Sequence, residues 1–304
     1  MRWSAARSLV TLALVVTACT ADKSAVTSPA STVPFTPPPA VIPVAEPEPA
    51  PVAVAVTPQE PAIAPVVEPE PEVPPPPAAP RKVLILGDSL AATGFGALLE
   101  KKLDAHPDIE CSRKAKSATG LARPDFYDWE AEARKQVEAR KPDLVVVILG
   151  RNDGQDLTPK SGKGKRVTWK SDGWNEAYKA RVADFLKEIG AAERKVLWLG
   201  LPKSELNGFE SKLNVIRQVQ SQAVADLGAT ATYLETTPFL SDAKGELLAT
   251  ATVGKRKDQD LREDDGIHFT MAGSQFFADK VYPEVLRVLE LADAEPETVG
   301  KKKK

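Results

Sequence analysis

The sequence predicts a three-layer α/β domain, a parallel sheet with helices on both faces, and three observations carry that expectation. Short runs of β-branched and leucine residues, VLIL at Val83–Leu86 and LVVVIL at Leu144–Leu149, are apolar without alternation, as strands buried on both faces are. Between such runs lie segments whose apolar residues recur at helical spacing. The two kinds of segment alternate along the chain, which calls for parallel strands joined by helical crossovers.

In order, the first strand starts at Val83 and runs into Gly87-Asp88-Ser89, and Leu90, Leu98, Leu99 and Leu103 then mark a helix. Ile109–Ala115 is a weaker strand, followed by the loop KSATGLARPDFYDW. Trp129, Ala133 and Val137 share one face of a second helix that ends near Arg140. Asp143–Leu149 is the clearest buried strand, and it runs into GRNDGQ and a long polar loop over 156–172. Trp174, Tyr178, Val182, Phe185, Leu186 and Ile189 give a third helix, Val196–Leu199 a fourth strand, Leu213–Leu227 a fourth helix and Ala231–Leu234 a fifth strand. The segment DDGIHFTMAGSQFFADKVYPEVLRVLEL closes the domain with a helix.

The domain over 81–292 occupies only part of the 304 residues. Residues 1–19 carry Arg2 and Arg7, a short apolar stretch at Leu9–Val16 and small residues before Cys19. That is the layout of a secretory signal, too short to span a membrane. The ending Val16-Thr17-Ala18-Cys19 resembles the lipobox of bacterial lipoproteins, which implies cleavage before Cys19 and lipidation of its thiol. Residues 20–80 hold 19 of the 27 prolines and show no periodicity, so they are expected to form a disordered, extended tether. At full extension it would reach about 190 Å. Residues 293–304 form a lysine-rich tail, read as a solvated end. The chain is thus expected to be exported and held at the membrane of the cell envelope through Cys19, on the periplasmic side or at the cell surface. A net charge of −2 gives no signal for nucleic acid as a partner. Cys111 has no partner for a disulfide and is expected to be a buried, inert thiol.

Ligand sites in such sheets lie at the carboxyl ends of the strands. Ser89 stands there, and it reads either as a helix N-cap or as a nucleophile. With two histidines in the chain, the search for a base is short. His106, in DAHPD, reads as a solvated turn residue. His268, in DDGIHFT, has Asp265 three residues before it, a spacing that brings both side chains to one side of a tight turn. A carboxylate there would fix the imidazole tautomer. Taken alone, Asp-x-x-His fits a capping aspartate beside an incidental histidine as well.

Four blocks fall at expected strand ends: GDSL at Gly87–Leu90, SATG ending at Gly120, GRND at Gly150–Asp153 and DGIH at Asp265–His268. In this order and type they resemble the SGNH/GDSL hydrolase family, over Val83 to about Leu291. GLARPDFYDW, GRNDGQ, VLWLGLPK and DGIHFTMAG further resemble an exported, mostly bacterial branch of it. The resemblance implies a flavodoxin-like five-stranded sheet and ester hydrolysis or acyl transfer without a metal or organic cofactor. It implies Ser89 as nucleophile, His268 as its base and Asp265 as the group orienting His268. The backbone N–H groups of Ser89 and Gly120 and the Asn152 side-chain amide would form the oxyanion hole, supplying the fixed donors a developing negative charge needs. A glycine at 120 would let backbone approach substrate closely.

Asp88 and Asp153 are assigned to hydrogen bonding within the loops. GDSL lacks the GxSxG pattern of the α/β-hydrolase elbow. TGFGALL lacks the third glycine of a dinucleotide loop. Lys160, Lys163, Lys165, Arg166 and Lys170, and again Lys255, Arg256 and Lys257, are read as solvated or as attracting an anionic glycan. Three functions stand open. The first is an envelope-tethered esterase removing acetyl or another small acyl group from a cell-envelope glycan. The second is an O-acyltransferase using the same serine with a membrane partner that supplies the acyl group. The third is a non-catalytic domain binding wall polymer through basic loops and aromatics such as Trp169 and Trp174. Aromatics of Phe126–Trp129 are expected to pack against the sheet.

Overall fold

The computed structural model describes residues 79–293. The signal over 1–19, Cys19, nearly all of the tether and nearly all of the tail lie outside the described residues. Within them, β1 (Arg81–Gly87), β2 (Ile109–Ala115), β3 (Leu144–Ile148), β4 (Lys195–Leu199) and β5 (Ala231–Leu234) form one parallel sheet in the order β2-β1-β3-β4-β5. That is the flavodoxin-like order, in which the winding reverses between β1 and β3 and opens a crevice at their carboxyl ends.

Alternate residues of each strand feed two separate cores. Val83 and Ile85 of β1 and Leu144, Val146 and Ile148 of β3 face one core, shared with α2 (Gly94–Asp104) and α6 (Met271–Leu289). Leu84 and Leu86, with Val145 and Val147, face the other, shared with α3 (Trp129–Arg140), α4 (Trp174–Ile189) and α5 (Asn207–Asp226). Because both of their faces are covered, β1 and β3 carry no polar alternation over Val83–Leu86 and Leu144–Ile148, which is why they are visible as continuous apolar runs.

Register decides what emerges at the top of the sheet. Gly87 at the end of β1 lies opposite Ala115 at the end of β2 and Ile148 at the end of β3. The strands are about 4.8 Å apart, so the loops carrying Ser89, Gly120 and Asn152 leave the sheet side by side.

Three features depart from the expectations. The first helix is broken into α1 (Ser89–Ala92) and α2 at Thr93, which is extended and whose hydroxyl and N–H both donate to Ser89 O, at 2.8 and 3.0 Å. Gly96 of TGFG serves that break, since a Cβ there would lie 2.0 Å from Ala91 O, whereas one at Gly94 would lie 2.6 Å from Ser274 Oγ of α6. A hairpin of β6 (Thr250–Val253) and β7 (Arg256–Asp260) was not expected; it carries Arg256 and Lys257 and turns through Gly254, φ +59°. His106 is buried, 4% exposed, and not a solvated turn residue. Cys111 is a buried free thiol that burial makes harder to ionise.

Candidate active site

Ser89 is the first residue of α1, presented by a turn that Asp88 holds from beneath. Asp88 is fully buried; its Oδ1 accepts from Leu90 N at 3.2 Å, and its Oδ2 accepts from Gly150 N at 3.2 Å and Arg151 N at 3.1 Å. One carboxyl group thus caps the helix behind Ser89 and ties it to the loop after β3. Burial pushes Asp88 up to about 6, against the pull of Arg151 and of the backbone donors.

His268 reaches Ser89 from the far end of the sequence. Its Nε2 lies 3.2 Å from Ser89 Oγ and its Nδ1 2.6 Å from Asp265 Oδ2. The other oxygen of Asp265 accepts from Ile267 N and His268 N, both at 2.8 Å, so the carboxylate shapes the turn and orients the ring together. Gly266, φ +62°, permits the turn's left-handed step. Slight burial opposes ionisation of Asp265, but the His268 contact and the two N–H donors prevail and hold it down to about 2. The carboxylate is therefore charged at neutral pH. This geometry allows Oγ to pass its proton to Nε2 while Nδ1–H stays on Asp265. Both Asp265 and His268 are open to solvent, with side chains 47% and 39% exposed.

Gly120 and Asn152 stand on the loops that follow β2 and β3 at the same edge of the sheet, held by a second buried acid. Asp153 accepts from Leu121 N at 2.9 Å, Ala122 N at 2.8 Å and the Tyr178 hydroxyl at 2.7 Å. A Cβ at Gly120 would lie 2.0 Å from Asp153 Oδ1. Glycine is required there by the carboxylate behind it, a reason different from the close approach of substrate inferred from sequence. The Asn152 amide donates to Thr119 O at 2.8 Å, which leaves its second N–H uncommitted to that carbonyl. Among the described residues, the backbone N–H groups of Ser89 and Gly120 have no protein acceptor.

Behind Asp153 runs a polar chain that the sequence did not reveal. Gln220 Nε2 donates to Tyr178 Oη at 3.0 Å and to Leu149 O at 2.8 Å, and Trp198 Nε1 donates to Gln220 Oε1 at 3.2 Å. The one available signal was a glutamine on the apolar face of α5, between Ile216 and Ala223. Arg181 adds donors to Leu121 O, Ala122 O and Thr158 O. The loop after β2 is thus fixed from both sides.

Other candidates fall elsewhere. Trp174 is buried, stacks on Tyr178 at 4.9 Å and donates to Gln155 O, while Trp169 packs edge-on against it at 4.3 Å. Trp174 is therefore core and drops out of a polymer-binding role, whereas Trp169 is half-buried against it. Trp129 is buried and Tyr127 half-buried as expected, but Phe126 is 61% exposed. Lys160 pairs with Glu130 and Asp128, whereas Lys163, Lys165, Arg166 and Lys170 are exposed in the loop after β3. Lys255, Arg256 and Lys257 are exposed on the hairpin that leads into the histidine turn.

The family described as "Protein of unknown function (DUF459)" matches residues 82–284. No curated protein matches the sequence. Among solved structures, an acetylxylan esterase from Geobacillus stearothermophilus is similar at 16% identity, covering 72% of this chain and 98% of its own, with a TM-score of 0.49. The psychrotrophic esterase EstA from Pseudoalteromonas sp. shows 17% identity over 69% of this chain and 99% of its own, with a TM-score of 0.47. A GDSL-like lipase from Bacteroides thetaiotaomicron shows 15% identity over 68% and 89%, with a TM-score of 0.47.

Proposed function

The chain belongs to the DUF459 family, and from its flavodoxin-like sheet and the side chains at that sheet's carboxyl edge we propose that it is a serine ester hydrolase of the SGNH/GDSL type. The observation that carries the reading is the continuous contact Ser89–His268–Asp265, at 3.2 and 2.6 Å. A hydroxyl is a poor nucleophile without an adjacent base, and an imidazole is an effective base only in the right tautomer.

In the proposed cycle, Ser89 Oγ attacks the acyl carbonyl as His268 Nε2 takes its proton. The tetrahedral oxyanion is held by the N–H groups of Ser89 and Gly120 and by the free N–H of Asn152. Collapse breaks the ester bond, and the leaving alcohol takes the proton from His268. Water then repeats the sequence on the acyl-serine and releases the acid. Asp265, charged throughout, stabilises the imidazolium that forms twice.

The substrate proposed is a small acyl ester, O-acetyl first, on a cell-envelope glycan. The openness of His268 and Asp265 supports it, since a site at the surface admits a polymer chain. The cationic residues of the loop after β3 and of the hairpin suit an anionic polymer. Tethering to the envelope through a lipid on Cys19 belongs to the same proposal.

The test is turnover of acyl-nitrophenyl esters and acetylated glycans by the purified protein, with and without an acceptor sugar. Release of free acid at a rate that acceptor leaves unchanged is expected. Acyl transfer to the sugar in place of acid would establish the transferase, and no acyl chemistry on any substrate would sink both.

A further inference from the structure

Arg151, the second residue of the GRND block, is 4% exposed, a rare place for a permanently charged side chain. Its contacts run to both of the loops that must meet for chemistry. The backbone N–H donates to Asp88, the neighbour of Ser89, at 3.1 Å. Its Nη1 donates to the carbonyl of Ile267, the neighbour of His268, at 2.9 Å. The guanidinium lies over the Phe209 ring, 5.5 Å from its centroid. The charged groups facing it are Asp88, Asp265 and Glu210, which favour the cation, and Arg217 and Arg262, which oppose it.

The bonds from Asp265 to Ile267 and His268 fix the shape of the histidine turn, but not its distance from Ser89. That distance depends on anchors to the rest of the domain. At the far side, Ser204 Oγ and Glu205 N donate to Gly266 O at 3.1 and 3.2 Å. At the base, Arg262 bridges Phe269 through its backbone and stacks on that ring at 4.0 Å. Arg151 alone among these anchors belongs to the GRND block, which contains Asn152 and whose Gly150 and Arg151 N–H groups bind Asp88.

We propose that Arg151 is a positioning residue that sets the His268–Ser89 contact, by fastening the histidine turn to the loop after β3 and thence to the loop carrying Ser89. Its catalytic consequence rests on the ester hydrolase reading, whereas the positioning itself is readable without substrate. A hydrogen bond from a buried cation is strong enough to hold a turn in place. Misplacement of a reacting group by about 1 Å costs about 10²-fold in rate.

The test uses the full chain with Arg151→Met, which keeps bulk and removes charge and donor, and reads the side-chain NMR signals of its two histidines. In the wild type, Ser89→Ala is expected to move the His268 imidazole signals. In the Arg151→Met background that response should vanish, while the signals of buried His106 stay in place and report an intact fold. Turnover should fall by about 10–10²-fold with the Michaelis constant within about twofold. An undiminished response of His268 to Ser89→Ala in the methionine background overturns the proposal, whatever the esterase assays show. If the methionine variant fails to fold, Arg151→Lys replaces it. Lysine keeps the charge and one donor, so the response of His268 should persist, and a folded lysine variant that has lost it also overturns the proposal.

Discussion

The two histidines stand at opposite edges of one sheet, and they show how little burial alone says about function. His106 lies between α2 and β2, at the amino edge. It is 4% exposed, its Nδ1 accepts from Asp108 N at 3.2 Å and its Nε2 lies 3.0 Å from Ala292 O. Both ring nitrogens are spent on main chain, so the ring has no reactive neighbour to which a proton could pass. His268, at the carboxyl edge, has a side chain 39% exposed and lies between a hydroxyl and a carboxylate. The same division separates the acids. Asp88 and Asp153 are buried and spend their oxygens on backbone N–H donors and, for Asp153, the Tyr178 hydroxyl, whereas Asp265, half open to water, takes two backbone N–H donors on one oxygen and offers the other to the imidazole. What distinguishes the candidate catalytic groups is the identity of their partners.

The strongest test of that contrast is His268→Ala. It should lower ester turnover by about 10⁴-fold or more, and Ser89→Ala should match it, with the double variant little worse than either because the two act as one unit. Wild-type turnover in either single variant would break the comparison outright. Next in size is Asn152. One of its amide hydrogens holds Thr119 O, so Asn152→Ala should lose about 1 kcal/mol of stability. The other is assigned to the oxyanion, and turnover should fall by roughly 10²–10³-fold at an almost unchanged Michaelis constant. Asn152→Asp sharpens this, since a carboxylate offers no donor and repels the oxyanion. A fully active aspartate variant would remove Asn152 from the oxyanion hole.

Much of this was legible in the sequence for one physical reason: β1 and β3 are buried on both faces, so their ends, and the blocks that follow, are marked by abrupt changes from apolar to polar. The hairpin carries no such mark. Arg256, Lys257, Asp258 and Asp260 are all exposed, and no apolar period separates β7 from a loop. The burial of His106 was hidden because its lid, Ala292, lies 186 residues away, and the acids and proline of DAHPD resemble a solvated turn. The Asp153–Tyr178–Gln220–Trp198 chain was invisible for a related reason. Each link joins a different element, and only the folded register brings them together. Trp174 could be named for a polymer-binding role because it opens α4 directly after a polar loop, although its spacing with Tyr178 and Val182 already put it on the buried face.

Asp88→Asn tests the buried acid, with an expected loss of about 1–3 kcal/mol in unfolding free energy from misplaced acceptors. Its pH dependence carries a definite sign. Because burial raises Asp88 from the ordinary 3.8 to about 6, the group favours the fold while protonated. That contribution is fully present below pH 3.8 and is lost as pH rises through about 6. The stability gap between wild type and Asp88→Asn should therefore narrow between pH 4 and pH 7 in urea titrations. A gap that widens instead would mean that Arg151 and the three N–H donors outweigh burial and keep Asp88 ionised.

The smallest effect is expected at the other histidine, and it completes the contrast. His106→Gln keeps a donor near Ala292 O but shortens the reach to Asp108 N, so one of two main-chain contacts is lost. A net hydrogen bond is worth about 0.5–1.5 kcal/mol, and the unfolding free energy should fall by about that much. Ester turnover should remain within about twofold of wild type, because His106 lies at the edge of the sheet away from Ser89 and has no side-chain partner leading there. Urea unfolding and turnover measured on one preparation decide the matter. A loss of turnover larger than the loss of folded protein would show that the amino edge communicates with the site, and that an imidazole bonded only to main chain is not thereby idle.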